Sequence, residues 1–258
     1  MAVNILFRRG GASPANCRKW AAAGKRLLSS SSDTPHHRNH LADFSELKNV
    51  YCAVRHGESL ANVEGIISCE PDADSGYFHG LSPKGKEQVK ELGSKLLSLI
   101  PDIESRRVFI YASDFRRARD TSRAIPSGLW AAAESVVVSF PEYIPALRER
   151  SFGPDLNLGS DARYKEVWEA DAASAADGSG GVEGVETVQS VQDRATKFVA
   201  ELEARHGGGG DGPGSVCVLV SHGDLLQILQ TGFERTDPRL HRSLPHLETC
   251  GARLLQLK

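Results

Sequence analysis

The chain has 258 residues, 40% hydrophobic and 25% charged, with a formal net charge of −2. That balance suits one sizeable soluble α/β domain and gives no global attraction to nucleic acid or an anionic membrane surface, so any anion site must be local. No run approaches the roughly 18 apolar residues of a membrane span.

The first 32 residues contain no Asp or Glu, carry Arg8, Arg9, Arg18, Lys19, Lys25 and Arg26, and end in a serine run. Basic, serine-rich and acid-free is the composition of an organelle transit peptide. Arg26-Leu27-Leu28-Ser29 also resembles a mitochondrial processing site. The expectation is a leader over residues 1–45 directing the chain to the mitochondrion, with plastid import or a cytoplasmic basic tail as alternatives. Residues 46–258 are then expected to form a single domain.

Short apolar runs bounded by turn residues predict strands at 50–54, 108–112, 135–139, 215–220 and 252–257. Helical patterns lie between them. Ser82-Pro83 has the form of an N-cap with proline at the first helical position, followed by Val89, Leu92, Leu96 and Leu99 at helix spacing. A second helix is expected from Phe115 to about Ile125, stopped by Pro126. Residues 153–185 have weak periodicity and a Gly/Ser/Ala-rich middle, which predicts a helical excursion and a mobile loop. Val188, Val191, Ala195, Phe198 and Leu202 form one apolar stripe on a third helix, and the glycine-rich stretch 206–214 then forces a loop. The alternation predicts an α/β three-layer sandwich, a mainly parallel sheet flanked by helices. The cysteines include no C-x-x-C pair; Cys52 and Cys217 sit in apolar runs and are expected to be buried reduced thiols.

Two strand ends carry the same plan. Val54 is followed by Arg55-His56-Gly57-Glu58, and Val220-Ser221 by His222-Gly223-Asp224. Ala112-Ser113-Asp114 ends another strand just before Arg116, Arg117 and Arg119. Ligands of open α/β sheets sit beyond the carboxyl ends of the strands, so two histidines and at least two arginines are aimed at one edge. A lone strand-end histidine is most often a cap; two in one setting are less easily dismissed. A metal held by His56, His222, Glu58 and Asp224 would be repelled by Arg55 and Arg117, whose guanidinium groups suit an anion. A phosphate-binding module without turnover needs the arginines but no proton donor. Phosphoryl transfer through histidine uses more of the residues: a neutral imidazole attacks phosphorus, Gly57 and Gly223 let the phosphate approach, and the arginines with the second histidine spread its charge. The leaving alkoxide needs a proton, for which Glu149, between Arg148 and Arg150, is the candidate; its flanking arginines should hold its pKa down.

Arg55-His56-Gly57-Glu58-Ser59, Ser113-Asp114 with Arg117-Ala118, Leu147-Arg148-Glu149-Arg150 with Phe152-Gly153, and Ser221-His222-Gly223 together resemble the ordered motifs of the histidine phosphatase superfamily, the phosphoglycerate mutase-like clan. Leu81-Ser82-Pro83-Lys84-Gly85 with Gln88 resembles its usual helix start, and Gly184-Val185-Glu186-Thr187 with Arg194 a later helix. The resemblance spans residues 50 to 257. It implies His56 as the phosphorylated nucleophile, Arg55, Arg117 and His222 as the rest of the phosphate pocket, Glu149 as proton donor and Asn62 as a substrate contact. It also implies no metal and no cofactor, and a small phosphorylated metabolite as the partner.

The chain departs from the glycolytic mutases of this clan. Ala61-Asn62 stands where they carry Trp-Asn, and residues 151–181 hold one proline where they carry a proline run and basic residues that grip a carboxylate. A mutase must enclose its product until it is rephosphorylated, which an Ala/Gly/Ser loop does not promise, so a phosphatase is expected ahead of a mutase or an idle binding protein. The segment 161–171 more closely resembles plant and fungal phosphoglycerate mutase-like proteins. A basic cluster at Arg235, Arg239, His241, Arg242 and His246 is either a solvated patch or a grip for a second anionic group. Nothing in the residues sets an oligomeric state.

Overall fold

Strand β1 (Val50–Arg55) alternates between two cores. Tyr51 and Ala53 pack on one face of the sheet, Cys52 and Val54 on the other, as the period of two requires. The computed structural model describes residues 37–70, 79–207 and 213–258. The sheet also contains β2 (Arg107–Ala112), β3 (Val137–Val138), β4 (Glu142–Tyr143), β5 (Val216–Ser221) and β6 (Ala252–Leu255). Its order is β3-β2-β5-β1-β6, with β4 also on β2; only β6 runs antiparallel. The expected mainly parallel sandwich is therefore present. Arg55 pairs with Ser221, and Val54 with Val220, so the two His-Gly strand ends lie side by side.

Seven helices are used below: α1 (Leu60–Glu64), α2 (Pro83–Gln88), α3 (Leu92–Leu99), α4 (Arg116–Ala132), α5 (Tyr164–Ala173), α6 (Val188–His206) and α7 (Gly223–Glu234). Helices α2 to α4 bury Leu92, Leu96, Ile125 and Leu129 against one face; α6 and α7 bury Val191, Phe198, Ile228 and Phe233 against the other. Caps fall where the sequence places them. Ser82 Oγ accepts from Gly85 N at 3.0 Å, and Thr187 Oγ1 from Ser190 N at 3.1 Å.

Four expectations are corrected. Helix α4 does not stop at Pro126 but carries it inside and runs on to Ala132. An interior proline costs about 3 kcal/mol. Burial of Ile125 and Leu129, at roughly 1.5–3 kcal/mol each, offsets it. The α3–α4 crossing brings Gly93 and Gly128 so close that a Cβ on Gly93 would sit 2.1 Å from the Gly128 carbonyl carbon. The strand expected at 135–139 shrinks to two residues, and β4 is an unforeseen two-residue partner of β2. The domain begins before residue 46, because Leu41 is fully buried in the α6–α7 core and Asn39 Nδ2 donates to Gly232 O at 2.8 Å. The loop expected to be mobile is tied down: Gln189 Nε2 donates to Ala176 O at 3.2 Å and Arg239 Nη1 to Ser174 O at 2.6 Å. The leader up to residue 36, and most of the glycine-rich loop at 206–214, lie outside the described residues. Cys52, Cys69, Cys217 and Cys250 are free and buried. Among the described residues no helix is long and apolar enough to cross a membrane.

Candidate active site

A cavity of about 230 Å³ opens above the carboxyl ends of β1 and β5, lined by Arg55, His56, Asn62, Ser68, Arg117, Glu149, Tyr164, Trp168, Gly223, Asp224, Arg242 and His246 among others. His56 leaves β1 at its end. Its Nδ1 lies 2.7 Å from Gly57 O, and a carbonyl can only accept, so Nδ1 carries the hydrogen and Nε2 keeps its lone pair. Arg117 Nε donates to that Nε2 at 3.1 Å and to His222 Nδ1 at 3.2 Å. The remaining ring nitrogen of His222 reaches Ser113 Oγ at 2.8 Å. The imidazoles meet edge to face, with centroids 5.1 Å apart. Burial first, then the charges of Arg117 and Arg55, hold the His56 imidazole well below its usual pKa, so it is neutral at neutral pH. Burial and Arg117 do the same to His222.

Arg117 is 4% exposed; its terminal nitrogens donate to Ser68 O at 2.8 Å and Ser68 Oγ at 3.3 Å. Arg55 Nη1 contacts His246 Nε2 at 2.6 Å and donates to Leu247 O at 2.9 Å, while its Nε is buried without a hydrogen-bond partner. A guanidinium lining a cavity suits an anion's oxygens.

Glu149 reaches the cavity from the segment before α5. Its Oε1 accepts from Arg150 N at 3.0 Å and from Leu225 N at 3.1 Å, so it satisfies an N–H of the first turn of α7. The expectation that flanking arginines lower its pKa fails. The extended chain turns Arg148 to Asp114 (2.8 and 2.6 Å) and Arg150 to Asp171 (2.6 and 2.7 Å), both occupied elsewhere. Burial, and then the charge of Asp224, raise the Glu149 carboxyl above its ordinary value, outweighing Arg117. Asp224 itself would be raised by burial, but His241 and Arg150 hold it well below the usual carboxylate range.

The two glycines separate. Gly57 does not line the cavity: its N donates to Thr121 Oγ1 at 3.0 Å, and a Cβ there would sit 3.0 Å from Gly85 O. Its smallness serves the docking of α2, not a phosphate. Gly223 does border the cavity, where a Cβ would lie 3.4 Å from the Arg55 guanidinium. Asn62 sits at the cavity rim, with Oδ1 accepting from Ser59 N at 3.1 Å in the capping box of α1. Glu58 turns away as well, accepting from Ser82 Oγ at 2.8 Å and pairing with Lys84 at 2.8 Å. The basic cluster divides. Arg235 and Arg239 hold Phe44 O and Asp237, and His241 is buried 3.3 Å from Asp224, whereas Arg242 and His246 line the cavity.

Several positioning residues escaped the sequence reading. Gln88 Oε1 accepts from Glu58 N at 2.8 Å and its Nε2 donates to Thr249 Oγ1 at 3.0 Å, latching the loop after His56 to the α2 helix. Arg194 pairs with Glu186 at 2.8 Å and donates to Ala146 O and Arg148 O, fixing the backbone that presents Glu149. Their motif positions were the available signal. Among the described residues no cluster of three His, Cys, Asp or Glu has the arrangement to hold a metal ion.

A mainly parallel sheet that carries paired histidines and arginines at its carboxyl edge defines an α/β protein with an anion pocket. The chain belongs to the histidine phosphatase superfamily, branch 1, which it matches over residues 51–258. A phosphoglycerate mutase-like protein of Arabidopsis thaliana is 30% identical over 123 residues, 45% of this chain; the match covers 40% of that curated relative's length. The chain thus spans well under two thirds of that relative. Among solved structures, a mycobacterial glucosyl-3-phosphoglycerate phosphatase in complex with VO3 has a TM-score of 0.61 at 23% identity, covering 80% of this chain and 90% of that one. The α-ribazole phosphatase of Shigella flexneri has a TM-score of 0.54 at 22% identity, covering 80% and 89%. These two share the fold.

Proposed function

We propose that this protein is a phosphatase that hydrolyses a small phosphomonoester through a phosphohistidine on His56, without a metal. The observation that carries the reading is the His56 ring: Nδ1 is tied to Gly57 O, and the neutral Nε2 faces the cavity beside Arg117. In the first step Nε2 forms a bond to phosphorus as the ester P–O bond breaks. Glu149, whose carboxyl is pushed towards its neutral form by burial and the charge of Asp224, gives its proton to the leaving alkoxide. In the second step water attacks phosphorus, the N–P bond breaks, and the Glu149 carboxylate takes the proton of the water. Arg117 and Arg55 stabilise the phosphoryl oxygens throughout, and His222 steadies Arg117 by accepting from its Nε.

Hydrolysis is favoured over a mutase reaction by what the segment over the cavity contributes. Asp161, Tyr164 and Trp168 line it, whereas Arg163 and Lys165 pair outward with Glu166 and Glu169. The segment therefore offers no basic grip for retaining a product. A phosphatase assay over sugar phosphates, phosphoglycerates and nucleotides, with EDTA present, tests the reading. Turnover insensitive to EDTA and absent in His56→Ala is expected; turnover abolished by EDTA, or surviving in His56→Ala, overturns it. A bisphosphorylated glycerate that primes isomerisation without release of phosphate would favour the mutase.

The composition of residues 1–32 supports mitochondrial import. Residues 1–36 fused to a fluorescent reporter should direct it to mitochondria, and a diffuse signal would contradict this.

A further inference from the structure

Arg242 lies outside the set assigned to the phosphoryl group, yet it lines the same cavity. It stands on the 3₁₀ turn Pro238–Ser243 after α7, with its guanidinium carbon 3.6 Å from the centroid of the Trp168 ring. That ring stacks with Tyr164 at an interplanar angle of 7°. Trp168 Nε1 donates to Asp224 Oδ1 at 2.9 Å, which fixes the indole in place. One terminal nitrogen of Arg242 donates to Gln227 Oε1, and Gln227 is in turn held by Leu244 O at 2.8 Å. The guanidinium is thus clamped between an aromatic face and an amide.

What Arg242 lacks is a counter-charge. Among the described residues it forms no ion pair within 4 Å, in contrast to Arg148, Arg150, Arg194 and Arg239, each of which has a carboxylate. The carboxylate whose charge acts on it, Asp224, is already shared by Arg150 and His241. Arg55 and Arg117 are the cations beside His56, and Glu149 is held towards its neutral form. A third, rigidly held guanidinium in so small a cavity is surplus to one phosphoryl group. Arg242 is solvent-exposed and donates to the neutral amide of Gln227, so an anionic ligand would supply the charge partner that no described carboxylate gives it.

We propose that Arg242, braced on Trp168 and Gln227, is the specificity-determining contact for a second anionic group on the substrate. The substrate class is then a phosphomonoester that bears a carboxylate or a second phosphate a few bonds from the scissile one. This rests on the phosphatase reading for the word substrate, but the binding it requires does not depend on turnover.

The test is calorimetry with non-hydrolysable phosphonates of matched length on the full chain. Ethylphosphonate is compared with 2-carboxyethylphosphonate and with 1,2-ethylenediphosphonate, and the series is repeated with propyl and butyl spacers. At the spacer that reaches, the second anion should tighten binding about 10- to 100-fold over the monoanionic partner, the range of a charge-assisted pair. The carboxylate and phosphonate arms show which anion the site prefers. In Arg242→Gln the ratio should fall towards one, and in Arg242→Lys it should be partly kept. Equal affinities at every length in the wild type overturn the proposal, as does a ratio undiminished in Arg242→Gln. Should Arg242→Gln fail to fold, the wild-type ratios and Arg242→Lys still decide. Failure of the phosphatase reading looks different: hydrolysis is absent or independent of His56, while the phosphonate ratios stand.

Discussion

The ends of β1 and β5 carry nearly the same letters and do different work. Both finish in an apolar strand, a histidine, a glycine and an acid, and the sheet sets them side by side. His56 lines the cavity and its Nε2 meets only the Arg117 Nε among the described hydrogen bonds, whereas His222 is fully buried away from the cavity, one ring nitrogen engaged by Arg117 and one by Ser113. Gly57 makes room for a helix, whereas Gly223 borders the cavity beside Arg55. Glu58 latches α2, while Asp224 sits among Arg150, His241 and Trp168 beside Glu149. A motif thus specifies a backbone position and a residue type; the neighbours decide which histidine meets the cavity and which one is buried behind it.

Substitutions at the two ends should separate in size. His56→Ala removes the nucleophile, and kcat on any phosphomonoester should fall about 10⁴-fold or more. Glu149→Gln should cost about 10²- to 10⁴-fold with an alkyl phosphate and far less with p-nitrophenyl phosphate, whose leaving group needs no proton. His222→Ala removes the acceptor that helps to hold the Arg117 guanidinium, and should cost about 10²-fold, measured as kcat with either substrate. A His222→Ala loss equal to that of His56→Ala would erase the distinction between the two ends. Gln88→Ala unlatches the loop after His56 and should lower stability by about 1 kcal/mol, read from denaturant midpoints.

The pH profile sharpens the same contrast. In the proposed mechanism His56 attacks as the neutral imidazole and its pKa is lowered, so activity should be lost only as pH falls through that lowered value. Glu149 donates a proton in that mechanism and its pKa is raised, so activity with alkyl phosphates should be lost as pH rises through that raised value. Glu149→Gln should abolish the alkaline limb and leave the acid limb in place.

The strands of the parallel core, the apolar stripe of α6 and the convergence of Arg55, His56, Arg117 and His222 were legible because strand ends and helix stripes are local patterns; the role of Glu149 came from the family resemblance, and helix α7 was not foreseen. Pro126 misled, because the burial that carries α4 past it is set by residues far away in the chain. The environment of Glu149 was equally invisible. Adjacent arginines suggested a depressed carboxyl, but the extended backbone sends Arg148 and Arg150 to Asp114 and Asp171, partners tens of residues distant. The five-residue basic cluster likewise read as one patch, and only the 3₁₀ turn and α7 show that Arg242 and His246 alone among them line the cavity.

The central claim is the covalent intermediate, and rapid acid-sensitive trapping tests it most directly. Enzyme mixed with a radiolabelled phosphomonoester is quenched in alkali within milliseconds, and the label is mapped by mass spectrometry. The account predicts an acid-labile, alkali-stable phosphate on the peptide containing His56, absent in His56→Ala and still detectable in His222→Ala. Label on His222, or full turnover with no labelled histidine at any time, would contradict it.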